Sequence, residues 1–187
     1  MAAIADLEKY LNDTFAKNAP ALPANTKQFI VKYAPWLSLA IGVLSILSAL
    51  SLWHWANAAN KIVDYANSMN AMYGSSAAIV DRLTPAVWIG LIVLLVEGAL
   101  YLAAFTGLRD RKKSGWNLLL YALLVNVIYG VAIMFTSYGS IGSFVLSLIG
   151  TAAGLYFLFQ IRSFYDVTAT AQPRKTVVAK SSEAPKK

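Results

Sequence analysis

The sequence predicts an all-α integral membrane protein: a four-helix transmembrane bundle with both termini in the cytoplasm. Its 187 residues are 58% hydrophobic and only 13% charged, with a mean hydropathy of +0.55, which is outside the usual balance of a soluble domain. Four apolar stretches each reach the roughly 20 residues that a helix needs to cross a bilayer. Basic residues collect at one set of their ends, which predicts the orientation.

Residues 1–34 are predicted to form cytoplasmic, interfacial helices. Apolar residues recur there at helical spacing, namely Ile4, Leu7, Leu11 and Phe15. This face either contacts the membrane surface or a partner, which is the interpretation we favour, or packs under the bundle. Pro20 and Pro23 end the helix, and a second short helix is predicted over 26–33 behind a cap at Asn25.

The transmembrane domain is predicted over residues 35–161. Its spans are expected at about 35–55, 85–108, 116–137 and 140–161. The connector after the third span is so short that the last two spans must form an antiparallel hairpin. Indole rings prefer the headgroup boundary, and every tryptophan lies near a predicted span end: Trp36, Trp53, Trp55, Trp88 and Trp116.

Two further segments lie outside the spans. Residues 56–84 form the external loop, predicted as a helical extension of the first span that stops near Gly74, before a new helix leads into the second span. Residues 162–187 are basic and poor in apolar side chains, so a disordered cytoplasmic tail is predicted.

The positive-inside rule fixes the predicted orientation. Fourteen of the 16 basic residues precede the first span, separate the second from the third, or follow the fourth, and only Lys61 and Arg82 lie in the external loop. This asymmetry predicts that the N-terminus, the middle loop and the C-terminus lie in the cytoplasm, with the chain in the inner membrane. The net charge of +7 then reflects insertion and anionic lipid headgroups, and no nucleic acid is expected as a partner.

Composition also limits the chemistry. The chain has no cysteine and one histidine, His54, so thiolate, iron–sulfur and histidine-rich metal sites are not expected from one subunit. No glycine-rich phosphate loop, catalytic carboxylate pair or nucleophile motif is present. We therefore expect no catalytic residues, no metal ligands and no cofactor.

Glu97 is the candidate functional residue, because it is the only acidic residue in a predicted hydrocarbon region. Desolvation favours its neutral form, and two interpretations follow: a proton or cation site, or a neutral carboxyl that holds neighbouring helices in register, which we favour. Asn126 lies at the same predicted depth and is the natural partner. Further polar side chains near the middle of the membrane are Tyr101, Ser45 and Thr151.

Small residues at four-residue spacing indicate helix packing, either inside the bundle or between subunits. These residues are Gly150 and Gly154 in the fourth span and Ser38 and Gly42 in the first. The loop after the second span carries a basic run that we interpret as a topology determinant, with lipid headgroups as secondary contacts. The run comprises Arg109, Arg111, Lys112 and Lys113.

Two stretches carry a resemblance to a known class. The segment from Gly107 to Trp116, with the sequence GLRDRKKSGW before a hydrophobic span, and the ending GLYFLFQIR from Gly154 to Arg162 resemble small four-span bacterial inner-membrane proteins of unassigned function. The resemblance covers about residues 35–165 and implies a fold and a location in the inner membrane. It implies no activity and no site residues.

Three classes of function follow. The leading hypothesis is a structural or interaction subunit that forms a homo-oligomer or joins a larger membrane complex. The second is an oligomeric transporter or channel that uses Glu97 as a proton or cation site. The third is a membrane enzyme that acts on a lipid or quinone.

Overall fold

Backbone amides find no water inside a hydrocarbon layer, so the apolar stretches of this chain form continuous helices. The computed structural model describes residues 2–73, 85–136 and 139–165. Within these ranges it is all-helical. The helices are α1 (Ala2–Asn12), α2 (Ala24–Met72), α3 (Pro85–Arg109), α4 (Lys113–Met134) and α5 (Ile141–Gln160). A π-helical turn, Asp13–Lys17, follows α1, and a 3-10 turn, Arg162–Phe164, follows α5.

Among the described helices, α2 to α5 are each long and apolar enough to cross a membrane. The prediction of an all-helical chain with four membrane-length helices is confirmed, and the chain is a multi-pass membrane protein. The observed bounds of α3, α4 and α5 lie within about three residues of the predicted spans.

The first span differs from its prediction, because α2 is one helix of 49 residues. It begins at Ala24 directly after Pro23, and neither a cap at Asn25 nor a break before Pro35 is present. Proline removes one N–H and strains one turn, but a membrane helix tolerates it where neighbours pack around it. Pro35 is buried, and the helix continues through it.

At its other end α2 continues past Trp55 to Met72, as the predicted extension of the first span requires. These 17 residues correspond to roughly 25 Å of helix at 1.5 Å per residue. The predicted stop at Gly74 and the helix after it lie outside the described residues, as does the predicted disordered tail from residue 166 onward. The first residues of that predicted tail, Arg162–Phe164, instead form a 3-10 turn.

The spans pack in chain order, α2 against α3, α3 against α4 and α4 against α5. The first and last spans form opposite walls of an apolar groove of about 280 Å³, with α3 and α4 behind it. Ser140 caps α5: its hydroxyl accepts from the Ser143 amide, and the Ser143 side chain completes the capping box. The bundle is therefore a series of antiparallel helices, with a groove between the first helix, α2, and the last, α5.

The hydrophobic core lies at the end of the bundle where α2 begins and α5 ends. Trp116 at the centre of this core is fully buried, and Phe159 meets it edge-on with ring centroids 5.1 Å apart. The Tyr165 side chain, which follows α5, also belongs to this core and is 1% exposed. Most of the basic residues of the described chain are at this end, which we refer to as the basic end.

The N-terminal segment packs on the same core. Leu11 and Phe15 contact it, although the sequence favoured a membrane or partner contact for this apolar face. The Gln160 side chain explains the difference, because its amide donates to the Phe15 carbonyl at 3.1 Å while its oxygen accepts from the Leu22 amide at 3.3 Å. The Phe15 carbonyl is in the π-helical turn and the Leu22 amide is in the non-helical segment after Pro20, and these bonds satisfy both backbone groups.

Candidate functional site

Glu97 lies midway along α3 and is buried, with 7% of its surface exposed. It faces α4, where the side-chain amide of Asn126 donates a hydrogen bond to its Oε1 at 3.1 Å. The pairing satisfies a polar group that would otherwise be left in hydrocarbon. The structure thus brings together the two residues that the sequence selected by depth alone.

A third residue extends this pair to the next helix. The Ser147 hydroxyl of α5 donates to Oδ1 of Asn126 at 3.4 Å. Asn126 therefore uses both ends of its amide, one toward α3 and one toward α5. The three residues Glu97, Asn126 and Ser147 form a polar chain that connects three consecutive spans, and we name it the polar triad.

Ser147 was not among the residues predicted from the sequence, because depth in the fourth span was counted from its midpoint. Counting outward from the hairpin that connects α4 to α5 does not separate the candidates either. Asn126 is eight residues before the end of α4, and Ser147 and Thr151 are six and ten residues after the start of α5. The rotation of α5, which turns Ser147 toward Asn126, decides between them.

A cavity of about 160 Å³ adjoins the polar triad. Glu97 and Asn126 form its polar wall, and Leu52, Val93 and Leu94 supply apolar walls. From Glu97 the lining continues along α3 to Gly90, which is two turns farther from the basic end.

Gly90 allows Tyr129 to reach into this region. A Cβ at Gly90 would lie 2.6 Å from the Tyr129 hydroxyl oxygen, so only glycine lets the phenol approach α3 this closely. Both residues line the cavity with Glu97. The Tyr129 hydroxyl therefore belongs to the polar surroundings of the carboxyl group, although the sequence analysis did not include it.

The other predicted polar residues lie elsewhere. The Ser38 hydroxyl donates to the Tyr101 carbonyl oxygen at 2.6 Å, and both residues line the apolar groove between the first and last spans. Thr151 is buried and Ser45 is half-buried. Among the described residues, no hydrogen bond joins Tyr101, Ser45 or Thr151 to the polar triad.

Of the glycines predicted to pack against other helices, two meet a neighbouring helix and one does not. Gly42 packs on α3, where a Cβ would lie 2.9 Å from the Leu102 side chain and 3.1 Å from the Gly98 carbonyl oxygen. A Cβ at Gly154 would lie 3.1 Å from the Leu123 side chain of α4. A Cβ at Gly150 would meet nothing within 4 Å, so this residue faces outward.

The basic run after α3 also separates into two pairs. Lys112 lies 2.9 Å from Asp110, and Lys113 lies 3.6 Å from Glu8 of the N-terminal helix. Arg109 and Arg111 instead line a groove of about 200 Å³ between α2 and α3. Only the second pair has the surroundings of a binding site.

Comparisons with known proteins do not assign an activity to this arrangement. Searches against protein-family models, curated proteins and solved structures gave no match. Within the described ranges, no group of three histidine, aspartate or glutamate side chains is placed to hold a metal ion. The polar triad offers one carboxyl group, that of Glu97, which can take up or release a proton while it accepts a hydrogen bond from Asn126.

Proposed function

We propose that this chain is a structural or interaction subunit of the membrane, with its N-terminus, middle loop and C-terminus in the cytoplasm and the α2 extension as its external contact surface. The observation that carries the proposal is the length of α2. A span needs about 20 residues, and α2 has 49. The surplus past Trp55 is a continuous helix that holds side chains clear of the bilayer.

The extension carries a stripe of large apolar residues on one face. Ile62, Tyr65, Met69 and Met72 follow the i, i+3, i+7, i+10 spacing of a helix that packs against another helix. Ile62, Tyr65 and Met72 are 68%, 67% and 75% exposed. Aromatic residues and methionine are enriched at protein interfaces, and methionine adapts to irregular surfaces.

The polar triad supports a structural role as well. Hydrogen bonds between membrane helices fix their rotation and depth, typically with about 0.5–2 kcal/mol each. Glu97, Asn126 and Ser147 make two such bonds across three spans. The triad joins α3, α4 and α5, and α2 packs closely on α3 at Gly42, so the extension continues from a helix that rests on this fixed base.

Photo-crosslinking tests the contact surface directly. A photoreactive amino acid at Ile62 or Tyr65 should yield one defined product, either a dimer of this chain or an adduct with a single partner. The same group at Asp64, about 120° around the helix, is the matched control and should give much less product. A purified monomer that crosslinks to nothing at Ile62 and Tyr65 would remove the proposal.

The orientation has its own test, made clean by the absence of cysteine. Ser68→Cys in the extension should react with a membrane-impermeant maleimide in intact cells. Ser114→Cys in the middle loop should react only after the membrane is opened. The reverse pattern contradicts the proposed topology.

The cavity beside Glu97 favours a second candidate, an oligomeric proton or cation transporter. A cavity that reaches an intramembrane carboxyl group gives an ion a place to dwell. Glu97→Gln retains an acceptor for Asn126 and removes ionisation. Loss of pH-dependent flux in vesicles with Glu97→Gln, alongside flux in the unmodified chain, would favour this candidate over the structural one.

A further inference from the structure

Three cationic side chains line the groove between α2 and α3 at the basic end. These are Lys32 of α2, Arg109 at the end of α3 and Arg111 in the loop that follows. The groove measures about 200 Å³. A water molecule occupies about 30 Å³ in the liquid, so this space exceeds a single hydration site.

The charges of these three cations are not balanced by ion pairs within the part of the chain that the structure describes. Among the described residues, no carboxylate lies within ion-pair distance of Lys32, Arg109 or Arg111. Lys112 and Lys113, from the same loop, are both paired. Like charges gathered without a counter-ion repel one another, so the groove gains most from an anionic ligand.

The backbone of the loop directs one of these cations. Arg111 has φ = 54°, the left-handed region that normally selects glycine at the end of a helix. Hydrogen bonds from the Arg111 amide to the Leu108 carbonyl (3.1 Å) and from the Lys112 amide to the Gly107 carbonyl (2.7 Å) complete the Schellman motif. A strained backbone under a residue that lines a cavity is a recurrent feature of binding sites.

The wall of the groove toward the membrane is aromatic. Trp36 and Phe105 also line it and meet edge-on, with ring centroids 5.7 Å apart. The Trp36 side chain is 62% exposed, as expected for an indole at the level of lipid headgroups. The groove therefore has a cationic end outside the hydrocarbon and an apolar end inside it.

We propose that this groove binds one anionic phospholipid. Its phosphate lies among Lys32, Arg109 and Arg111, and an acyl chain runs over Trp36 and Phe105 into the bilayer. Arginine suits this role because its planar guanidinium binds two phosphate oxygens at once. The amphipathic lining selects a lipid over a free phosphate, and the inference depends only on the four membrane spans.

Native mass spectrometry of the purified full chain can test this inference. Phosphatidylglycerol should bind with a stoichiometry of one at the lowest lipid concentrations. Phosphatidylcholine with identical acyl chains should bind at least about tenfold more weakly, and glycerol 3-phosphate should not bind in the same range. Equal binding of phosphatidylcholine, or saturable binding of glycerol 3-phosphate, would overturn the assignment.

Charge-matched double variants separate the groove from general attraction to the basic end. Arg109→Gln with Arg111→Asn should weaken phosphatidylglycerol binding about tenfold or more, because two of the three phosphate contacts are lost. Asparagine is chosen at 111 since it tolerates the left-handed region. Lys112→Gln with Lys113→Gln removes the same charge from the same loop and should change binding less than about twofold.

Two further readouts complete the test. Equal weakening by both double variants would mean a diffuse electrostatic effect and would overturn the proposal. Lys32→Gln changes an exposed side chain within α2, so it tests the groove even if the loop variants fail to fold. Crosslinking at Ile62 and Tyr65 is measured separately, so a failure of the lipid site and a failure of the proposed subunit function are distinguishable.

Discussion

The indole nitrogen of Trp116, at the start of α4, donates a hydrogen bond to the carbonyl oxygen of Leu158 near the end of α5, at 2.9 Å. The guanidinium carbon of Arg162 lies 5.6 Å from the centre of the same ring. The sequence placed Trp116 correctly at a span end, but the indole is covered by protein instead of lipid headgroups. It is the central anchor of the basic end.

Trp116→Phe should lower the free energy of unfolding by about 1–3 kcal/mol, because it leaves the Leu158 carbonyl without this donor and reduces the packing with Phe159. Denaturation in mixed micelles measures the change. Trp53→Phe is the matched control, since Trp53 is in α2, far from the basic end, and is 46% exposed. Equal losses in the two variants would contradict the anchoring role.

Gly42→Val should destabilise the bundle, whereas Gly150→Val should not. At Gly42 a side chain would collide with Leu102 and the Gly98 backbone, and overpacking of this kind costs about 1–3 kcal/mol. At Gly150 the added atoms enter open space. Thermal unfolding of the two variants compares the same glycine-to-valine change at the two positions. An unchanged stability of the Gly42→Val variant would contradict the close approach of α2 and α3.

Tyr165 should make stability fall at high pH. Burial raises the pKa of its phenol from 10.0 to about 12, with the nearby Arg111 acting in the opposite direction. Between pH 10 and about 12 the unfolded chain ionises this group while the folded chain keeps it neutral, so stability is lost as the pH rises through that window.

Tyr165→Phe tests this origin. The variant should lose less stability between pH 10 and 12 than the unmodified chain. It should be at least as stable at pH 7, because the Tyr165 hydroxyl is buried without a hydrogen-bond partner among the described residues. Parallel unfolding curves at pH 7, pH 10 and pH 12 supply both comparisons.

The N-terminal segment should detach when its anchors are removed. Gln160→Leu deletes the bonds to Phe15 and Leu22, and Glu8→Gln weakens the contact with Arg162, which is 2.6 Å away. Hydrogen exchange over residues 6–17 should become faster by about tenfold in the double variant, with α3 unchanged. Unchanged exchange over residues 6–17 would mean that the apolar contacts of Leu11 and Phe15 suffice alone.

Arg111→Gly should raise stability and lower lipid affinity together. Glycine adopts φ = 54° without the penalty of a side chain, which is worth up to about 1 kcal/mol. The same change removes a cation from the proposed phosphate site. Opposite signs in unfolding and lipid-binding measurements would identify Arg111 as a residue kept for binding, whereas a stability loss would mean that its side chain supports the loop.

Helix existence and depth were predictable from this sequence, because hydrocarbon thickness sets the length of each span and polar residues inside it are rare. Depth alone paired Glu97 with Asn126. The continuity of α2 was not predictable, since Pro35 is an ordinary helix start when only the chain is read. Packing around that residue, which is a property of the fold, keeps the helix intact.

The rotation of each helix about its own axis could not be predicted from the sequence. Thr151 and Ser147 differ by one turn, yet only Ser147 reaches Asn126. Gly150 and Gly154 are also one turn apart, and only Gly154 meets a neighbouring helix. Similarly, charge counting grouped Arg109, Arg111, Lys112 and Lys113, whereas the turn at Arg111 sends them in different directions. Neighbouring helices decide such directions, and hydropathy holds no information about them.

The uninterrupted α2 also has a mechanical consequence. In the proposed arrangement, α2 crosses the bilayer as a rigid rod, projects roughly 25 Å beyond it and acts as a lever. A tilt of about 10° at the membrane would swing its outer tip by about 4 Å, the width of a side chain. Under the proposed function, small adjustments of the first span against its neighbours would be amplified into displacements at the contact surface for a partner.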